Sequence, residues 1–181
     1  MKEYLESRPE VDEYAPYFAR YIARVETGDI VASLSRQGTD LSYFFTALSD
    51  ETLCFRYAPG KWTIREVIGH LSDTERVMSY RLLCIARGDQ SIFPGFDENS
   101  YVATGNFTQR SKDSLIAEFQ VVRSATLALL ESLDGFAWTR VGHANGALIS
   151  VRALAWIIAG HADHHLEILR ERYLQQPTHP L

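Results

Sequence analysis

Four stretches of this chain bring apolar residues back every three or four positions, and strand-type alternation is almost absent. They run over about 28–48, 63–87, 111–133 and 150–174. Each predicts an amphipathic helix with one stripe to bury, and four such stripes of similar length can bury one another as an all-α four-helix bundle. In the first, Ile30, Leu34, Leu41, Phe44, Phe45 and Leu48 fall mostly on one side, with Gly38 weakening the middle. The second opens at Thr63, where Glu66 completes a capping box, and Gly88 stops it. Ser111 caps the third, whose core positions are Leu115, Phe119, Val122, Leu129 and Leu133. Ser150 caps the fourth, and Pro177 follows its end.

Between the second and third segments lies "GDQSIFPGFDENSYVATGNFTQR". A connection of this length in a compact domain serves as a crossover, a functional loop, or both. The stretch "VDEYAPYFARYIARV" adds a short helix around Pro16. No repeat or low-complexity tract divides the chain, so the expectation is one domain over 1–181, with an N-terminal extension at 1–27 and a flexible tail at 175–181. Its 181 residues suffice to bury a core without staples. A net charge of −5 gives no basic face for nucleic acid. Cys54 and Cys84 fit neither a disulfide framework nor a zinc ribbon, and read as free thiols in a reducing cytoplasm. Cys84, inside "YRLLCIA", reads as a small core residue. Glu3, Glu6, Glu10, Asp12 and Glu13 argue against a signal peptide. No apolar run reaches the roughly 18–20 residues of a membrane span.

The segment "AGHADHHLEIL" at 159–169 sets three histidines into an apolar helix pattern. On a helical wheel Leu154, Ile158, His161, His165, Ile168 and Arg172 form one stripe, which centres His161 and His165 on the face that meets the other helices. At i, i+4 their rings stand one turn apart, the arrangement by which a helix offers two imidazoles to one metal. His164 lies further round, nearer Ile157. Buried imidazoles without partners are costly, and a catalytic zinc-type site takes three protein ligands and leaves a position open. The other histidines are His70, His143 and His179. His179 falls in the tail "PTHPL" and His143 in the approach "GHANG", where it either nears the site or sits in a solvated loop. His70 lies roughly 100° off the centre of the stripe marked by Ile64, Val67, Ile68, Leu71, Met78 and Leu82. The wheel permits it on an inner flank without requiring it. Glu75 falls inside that stripe, where it is either a proton-handling catalytic group or one half of a buried ion pair with Arg65 or Arg81.

Taken in order, "PGKWTIREVIGHLSDTE", "FPGFDENSYV", "RVGHANGALISVRAL" and "IIAGHADHHLEIL" resemble the DinB/YfiT-like superfamily of metal-dependent enzymes over about residues 28–174. The resemblance implies a four-helix bundle of unusual type, with a long crossover loop between helices 2 and 3. It implies a divalent metal, commonly zinc or nickel, held by three histidines: His70 from the second helix, and His161 with His165 from the fourth. His164 is then a neighbour and not a ligand. Family members are often homodimers, and some transfer or isomerise through a low-molecular-weight thiol.

Neutral imidazoles leave a metal's charge uncompensated, so a water or thiol there loses its proton near neutral pH. The expectation is therefore a hydrolase or low-molecular-weight-thiol S-transferase acting on a small molecule. Glu75 is the candidate proton handler, and Phe93, Phe96, Asp97, Tyr101 and Asn106 are the candidate lid or wall. A non-catalytic metal-binding stress protein, with its coordination closed by a fourth ligand, is the rival. A purely structural bundle is the third reading.

Overall fold

The structure is a computed structural model and describes residues 3–174. The tail expected at 175–181, with His179, lies outside the described residues. The helices are α1 (Glu3–Glu6), α2 (Ala19–Ile22), α3 (Ile30–Ala47), α4 (Asp50–Cys54), α5 (Ile64–Ala86), α6 (Glu98–Thr104), α7 (Lys112–Glu131), α8 (Gly135–Trp138) and α9 (Val151–Ile168). The four long ones, α3, α5, α7 and α9, match the four periodic segments. A π-helical turn over Leu169–Tyr173 extends α9.

The caps lie where the side chains placed them. Asp29 accepts from the Val31 and Ala32 amides, Ser111 from Ser114, and Ser150 from Ala153. Thr63 and Glu66 make the reciprocal box that opens α5. Each satisfies amides that the first helical turn leaves without partners.

Within the bundle α3 packs on α7 and α9, and α5 packs on the same two. The first and second long helices are therefore diagonal, as are the third and fourth. The connection from α5 to α7 joins neighbours. Its length forms a strand, β1 (Ile92–Phe93), then α6 and a 3-10 turn at Phe107–Gln109, all outside the bundle. No helix among the described residues is long and apolar enough to cross a membrane.

Strand structure, almost absent from the periodicity, does occur. β2 (Val141–Ala144) and β3 (Ala147–Ser150) form an antiparallel hairpin, and β1 pairs with β2 in parallel. The turn residues Asn145 and Gly146 both take positive φ, 52° and 78°. That is the conformation of a two-residue primed turn, for which Asn-Gly is the strongest sequence signal. The burial alternates as exposed, buried, exposed, buried along β2, so the pattern was short but present.

Two apolar clusters fill the bundle. One surrounds Trp156, Ile158, Leu82 and Leu34; the other surrounds Phe45, Phe119, Ile68 and Leu115. The histidines lie between them. Gly38, which looked like a weak point of α3, is where an added Cβ would stand 2.9 Å from Arg123 Cγ. Its missing side chain is the space through which Arg123 passes. Cys54 is exposed and Cys84 half-buried against the core, and both are free thiols.

Candidate metal centre

Two glycines set the histidines. Gly69 and Gly160 each precede a ring, and each lets another part of the chain approach its helix. A Cβ on Gly69 would fall 2.3 Å from the Phe107 ring, and one on Gly160 would fall 2.0 Å from the Tyr21 carbonyl oxygen. The 3-10 turn after α6 and the N-terminal helix α2 therefore sit directly on α5 and α9 beside His70 and His161.

His70, His161 and His165 converge. The Nε2 atoms of His70 and His161 are 3.0 Å apart, and those of His165 and His161 are 3.1 Å apart. One nitrogen from each ring lies within 4.8 Å of the other two. His70 comes from α5, whose wheel left its direction open; the contact with α9 turns it inward. Thr74 Oγ1 lies 3.4 Å from His70 Nδ1, and the Trp62 ring centroid lies 4.7 Å from that of His70.

Burial pushes the His70 pKa down to about 4. Burial also carries His161 and His165 well below the usual range, reinforced by the neighbouring imidazoles. The rings are therefore neutral, the form that ligates. Each carries one ring proton. His161 Nε2 offers either a hydrogen or a lone pair, which serves one neighbour in the ring plane, yet two ring nitrogens press on it. A cation relieves this conflict. The 3.0 and 3.1 Å separations are short enough for His70, His161 and His165 to hold one cation between them.

The triad lies at one end of a pocket of about 400 Å³. Walls come from Tyr17, Arg20 and Tyr21 ahead of the bundle, Trp62 before α5, Phe96 from the long connection and Asn145 at the hairpin turn. The N-terminal stretch, expected only as an extension with a short helix, is thus part of the site. The Tyr21 ring lies 5.6 Å from His161 and 5.4 Å from His164. Its hydroxyl pKa is pushed up to about 12, by burial first and then by the Tyr17 hydroxyl. At neutral pH it is a hydrogen-bonding group and not an anion.

The remaining candidates divide. His164 is not in the converging set, and its Nδ1 is buried without a hydrogen-bond partner. His143 sits exposed on β2, opposite Leu148, and does not reach the pocket. From the long connection Phe96 lines the pocket, with Tyr101 stacked on it at 5.3 Å. Phe93 is buried in the core, Asp97 caps α6, and Asn106 holds a left-handed turn at φ 52°.

Glu75 is buried in an ion pair, but its partner is neither Arg65 nor Arg81. The Arg123 guanidinium on α7 donates from Nε to Oε1 at 2.8 Å and from Nη2 to Oε2 at 2.9 Å. Arg65 and Arg81 stand ten residues before and six after Glu75, on other faces of α5, whereas only i±3 and i±4 positions meet on a helix. Arg65 pairs with Asp50 at 2.6 Å. Glu75 does not line the main pocket; it borders a void of about 10 Å³ beside His161.

Comparison with known proteins agrees with this architecture. The family model of the DinB superfamily matches residues 33–169. Two proteins of Oceanobacillus iheyensis, each named "Putative metal-dependent hydrolase", are 27% identical over 125 and 120 residues, covering 66% of this chain and 69% of each relative. Among solved structures, YfiT from Bacillus subtilis superposes with a TM-score of 0.62 at 20% identity, covering 91% of this chain and 93% of that one. Its description is "a probable metal-dependent hydrolase with an unusual four-helix bundle topology". A mycothiol-dependent maleylpyruvate isomerase superposes with a TM-score of 0.63 at 12% identity, covering 75% of this chain and 57% of that one. The match over the bundle, together with the fold, establishes that this chain belongs to the DinB superfamily.

Proposed function

We propose that the protein is a metal-dependent enzyme that binds a divalent cation through His70, His161 and His165 and acts on a small molecule, by hydrolysis or by thiol transfer. One observation carries this reading: three neutral imidazole nitrogens meet at one end of a pocket large enough for a small organic substrate. The names of the curated relatives support the metal-dependent hydrolase side. The mycothiol-dependent isomerase of the same fold supports the thiol side.

A divalent cation here supplies Lewis acidity that brings the ionisation of a water or thiol close to neutral pH. The chain's own groups do the rest. Thr74 and Trp62 fix the His70 ring. The Tyr21 hydroxyl, neutral and beside the histidines, offers a hydrogen bond to a substrate oxygen. Trp62, against His70, excludes water from the reacting end, and Phe96 and Met78 line the pocket further along. Glu75, expected as the proton handler, acts in this reading from behind: paired to Arg123, it borders the void against His161 and holds that part of α5 in place.

The open pocket favours an enzyme over a closed metal-binding protein. Among the described residues no further Cys, Asp, Glu or His joins the three histidines as a ligand. The test is metal quantification on anaerobically purified protein, followed by assays of small-ester and small-amide hydrolysis and of thiol conjugation to electrophiles. One metal per chain and a turnover that a chelator abolishes are expected. Metal-free protein, with no uptake of zinc or nickel, overturns the reading.

A further inference from the structure

The pocket contains a charge that nothing in the fold neutralises. Arg81 lies on the face of α5 that carries His70, Thr74 and Met78, and all four line the pocket. It is only 4% exposed. Its Nη2 donates to the Pro94 carbonyl at 2.6 Å, its Nη1 lies 3.7 Å from Met78 Sδ, and its guanidinium stands 5.9 Å from the Phe96 ring centroid. Among the described residues no carboxylate forms an ion pair with it. Arg20, also on the pocket wall, differs: it is exposed, donates to the Tyr21 hydroxyl at 3.0 Å and stacks on Tyr17 at 4.0 Å, so water meets its charge. The other arginines nearest the core behave differently. Arg123 is paired with Glu75, and Arg65 with Asp50.

A buried cation is costly unless an anion meets it. Pro94 and Met78 offer partial charges only, so the missing anion has to come from outside the chain. We propose that Arg81 holds the carboxylate of the substrate or co-substrate, further along α5 from His70 in the same pocket. This deepens the metal-dependent reading and rests on it for the reacting end alone.

Two features narrow the ligand. Apart from the proposed cation, the charged residues of the pocket wall are Arg20, Arg81 and Glu98, one net positive charge from the chain itself, which suits a monoanionic carboxylate better than a polyphosphate. Length follows from the helix. Eleven residues separate His70 from Arg81, about 16 Å along α5 at about 1.5 Å per residue. The contact of Arg81 with Met78, one turn earlier, shows that the side chain leans back toward the histidines. That leaves on the order of 10 Å between the guanidinium and the triad. The carboxylate contact takes about 3 Å of this and the path from reacting atom through cation to nitrogen about 4 Å, so the ligand is a small organic acid whose reacting atom stands roughly two to three bonds from its carboxylate.

The experiment uses butanoate against butanamide, equal in length and different in charge, with wild-type protein, Arg81→Gln and Arg20→Gln. Binding is read by Trp62 quenching in the presence of a chelator, so that metal plays no part. We expect butanoate to bind wild type at least tenfold more tightly than butanamide. Arg81→Gln should remove that preference, and Arg20→Gln, an exposed arginine on the same pocket that differs from it in burial, should keep most of it. Equal binding of the two probes by wild type overturns the proposal whatever the variants do, as does a preference that Arg81→Gln retains. A second arm, zinc-loaded protein with 3-mercaptopropanoate against propanoate, reads the other end. A thiol advantage that needs zinc speaks for the metal reading alone, so the two ideas fail separately.

Discussion

Gly160 of α9 faces the backbone of Tyr21 so closely that an added Cβ would lie 2.0 Å from the Tyr21 carbonyl oxygen and 2.4 Å from its carbonyl carbon. This contact docks the N-terminal stretch onto the helix that supplies two of the three histidines. It also determines where the Tyr21 and Arg20 side chains stand in the pocket. Gly160→Ala should therefore be destabilising although alanine favours helix, because the obstruction is backbone and cannot swing away. Overpacking of this kind costs about 1–3 kcal/mol, more than the helix propensity of about 1 kcal/mol that alanine restores. Urea unfolding measures it; an unchanged or raised midpoint would show that α2 does not pack there.

The buried pair of Glu75 and Arg123 predicts an asymmetry. Arg123 also donates to the Leu34 carbonyl at 2.9 Å and to Gln37 Oε1 at 3.0 Å, tying α3, α5 and α7 together. Arg123→Met strands a carboxylate that is 4% exposed. The expected loss is about 3–5 kcal/mol. Combining Arg123→Met with Glu75→Leu should recover much of it, since a well-packed apolar pair can replace a buried ion pair. Thermal melts of the single and the double variant decide the matter. If the double variant is as unstable as the single one, the pair contributes more than mutual compensation.

The relation between two of the three converging imidazoles was legible from sequence because it is local. His161 and His165 belong to one helix, and i, i+4 spacing on an apolar stripe fixes their relation without knowledge of the fold. His70 was legible only through the family resemblance. Its own wheel left it on a flank, and which flank faces α9 depends on a diagonal packing order that periodicity does not encode. Glu75 was recognised as needing a partner, but the partner was sought on its own helix when it lay on α7. The N-terminal stretch was read as an extension because it has too few residues for a visible period. Its docking signal was Gly160, a glycine inside the most apolar helix. Asn145-Gly146 announced a hairpin, but the flanking strands have four residues each, too short for alternation to stand out.

Acid should loosen that same N-terminal stretch. Glu13 accepts hydrogen bonds from the Ser150 hydroxyl at 2.6 Å and from Arg152, and so clamps the stretch to the start of α9. Burial on its own would raise the carboxyl pKa, but the bonds from Arg152 and Ser150 outweigh it and hold it below the ordinary 4.5. A carboxyl with a depressed folded pKa stabilises the fold fully above its unfolded pKa, and that contribution is lost as pH falls through the folded value. Below pH 4.5, then, the clamp should weaken, and Glu13→Gln should weaken it already at pH 7. Hydrogen exchange of the Tyr21 and Ile22 amides reads the effect. Exchange that is equally slow in wild type and variant at neutral pH would assign the docking to Gly160 alone.

The sharpest separation is between two adjacent histidines. His165 Nε2 lies 3.1 Å from His161 Nε2 and closes the triad, whereas the His164 ring turns toward Tyr21 and its Nδ1 meets no partner. Removing His165 leaves two imidazoles, one ligand short of the three that a catalytic zinc-type site uses. His165→Ala should accordingly bring bound metal per chain close to zero, while His164→Ala keeps it near the wild-type level. Both positions are partly exposed on the same helical turn, so a general loss of folding would affect the two variants alike and would show in their circular dichroism. Elemental analysis of the purified variants makes the measurement. Equal metal in the two would mean that the ring at residue 165 is a bystander and that the cation, if bound, sits elsewhere.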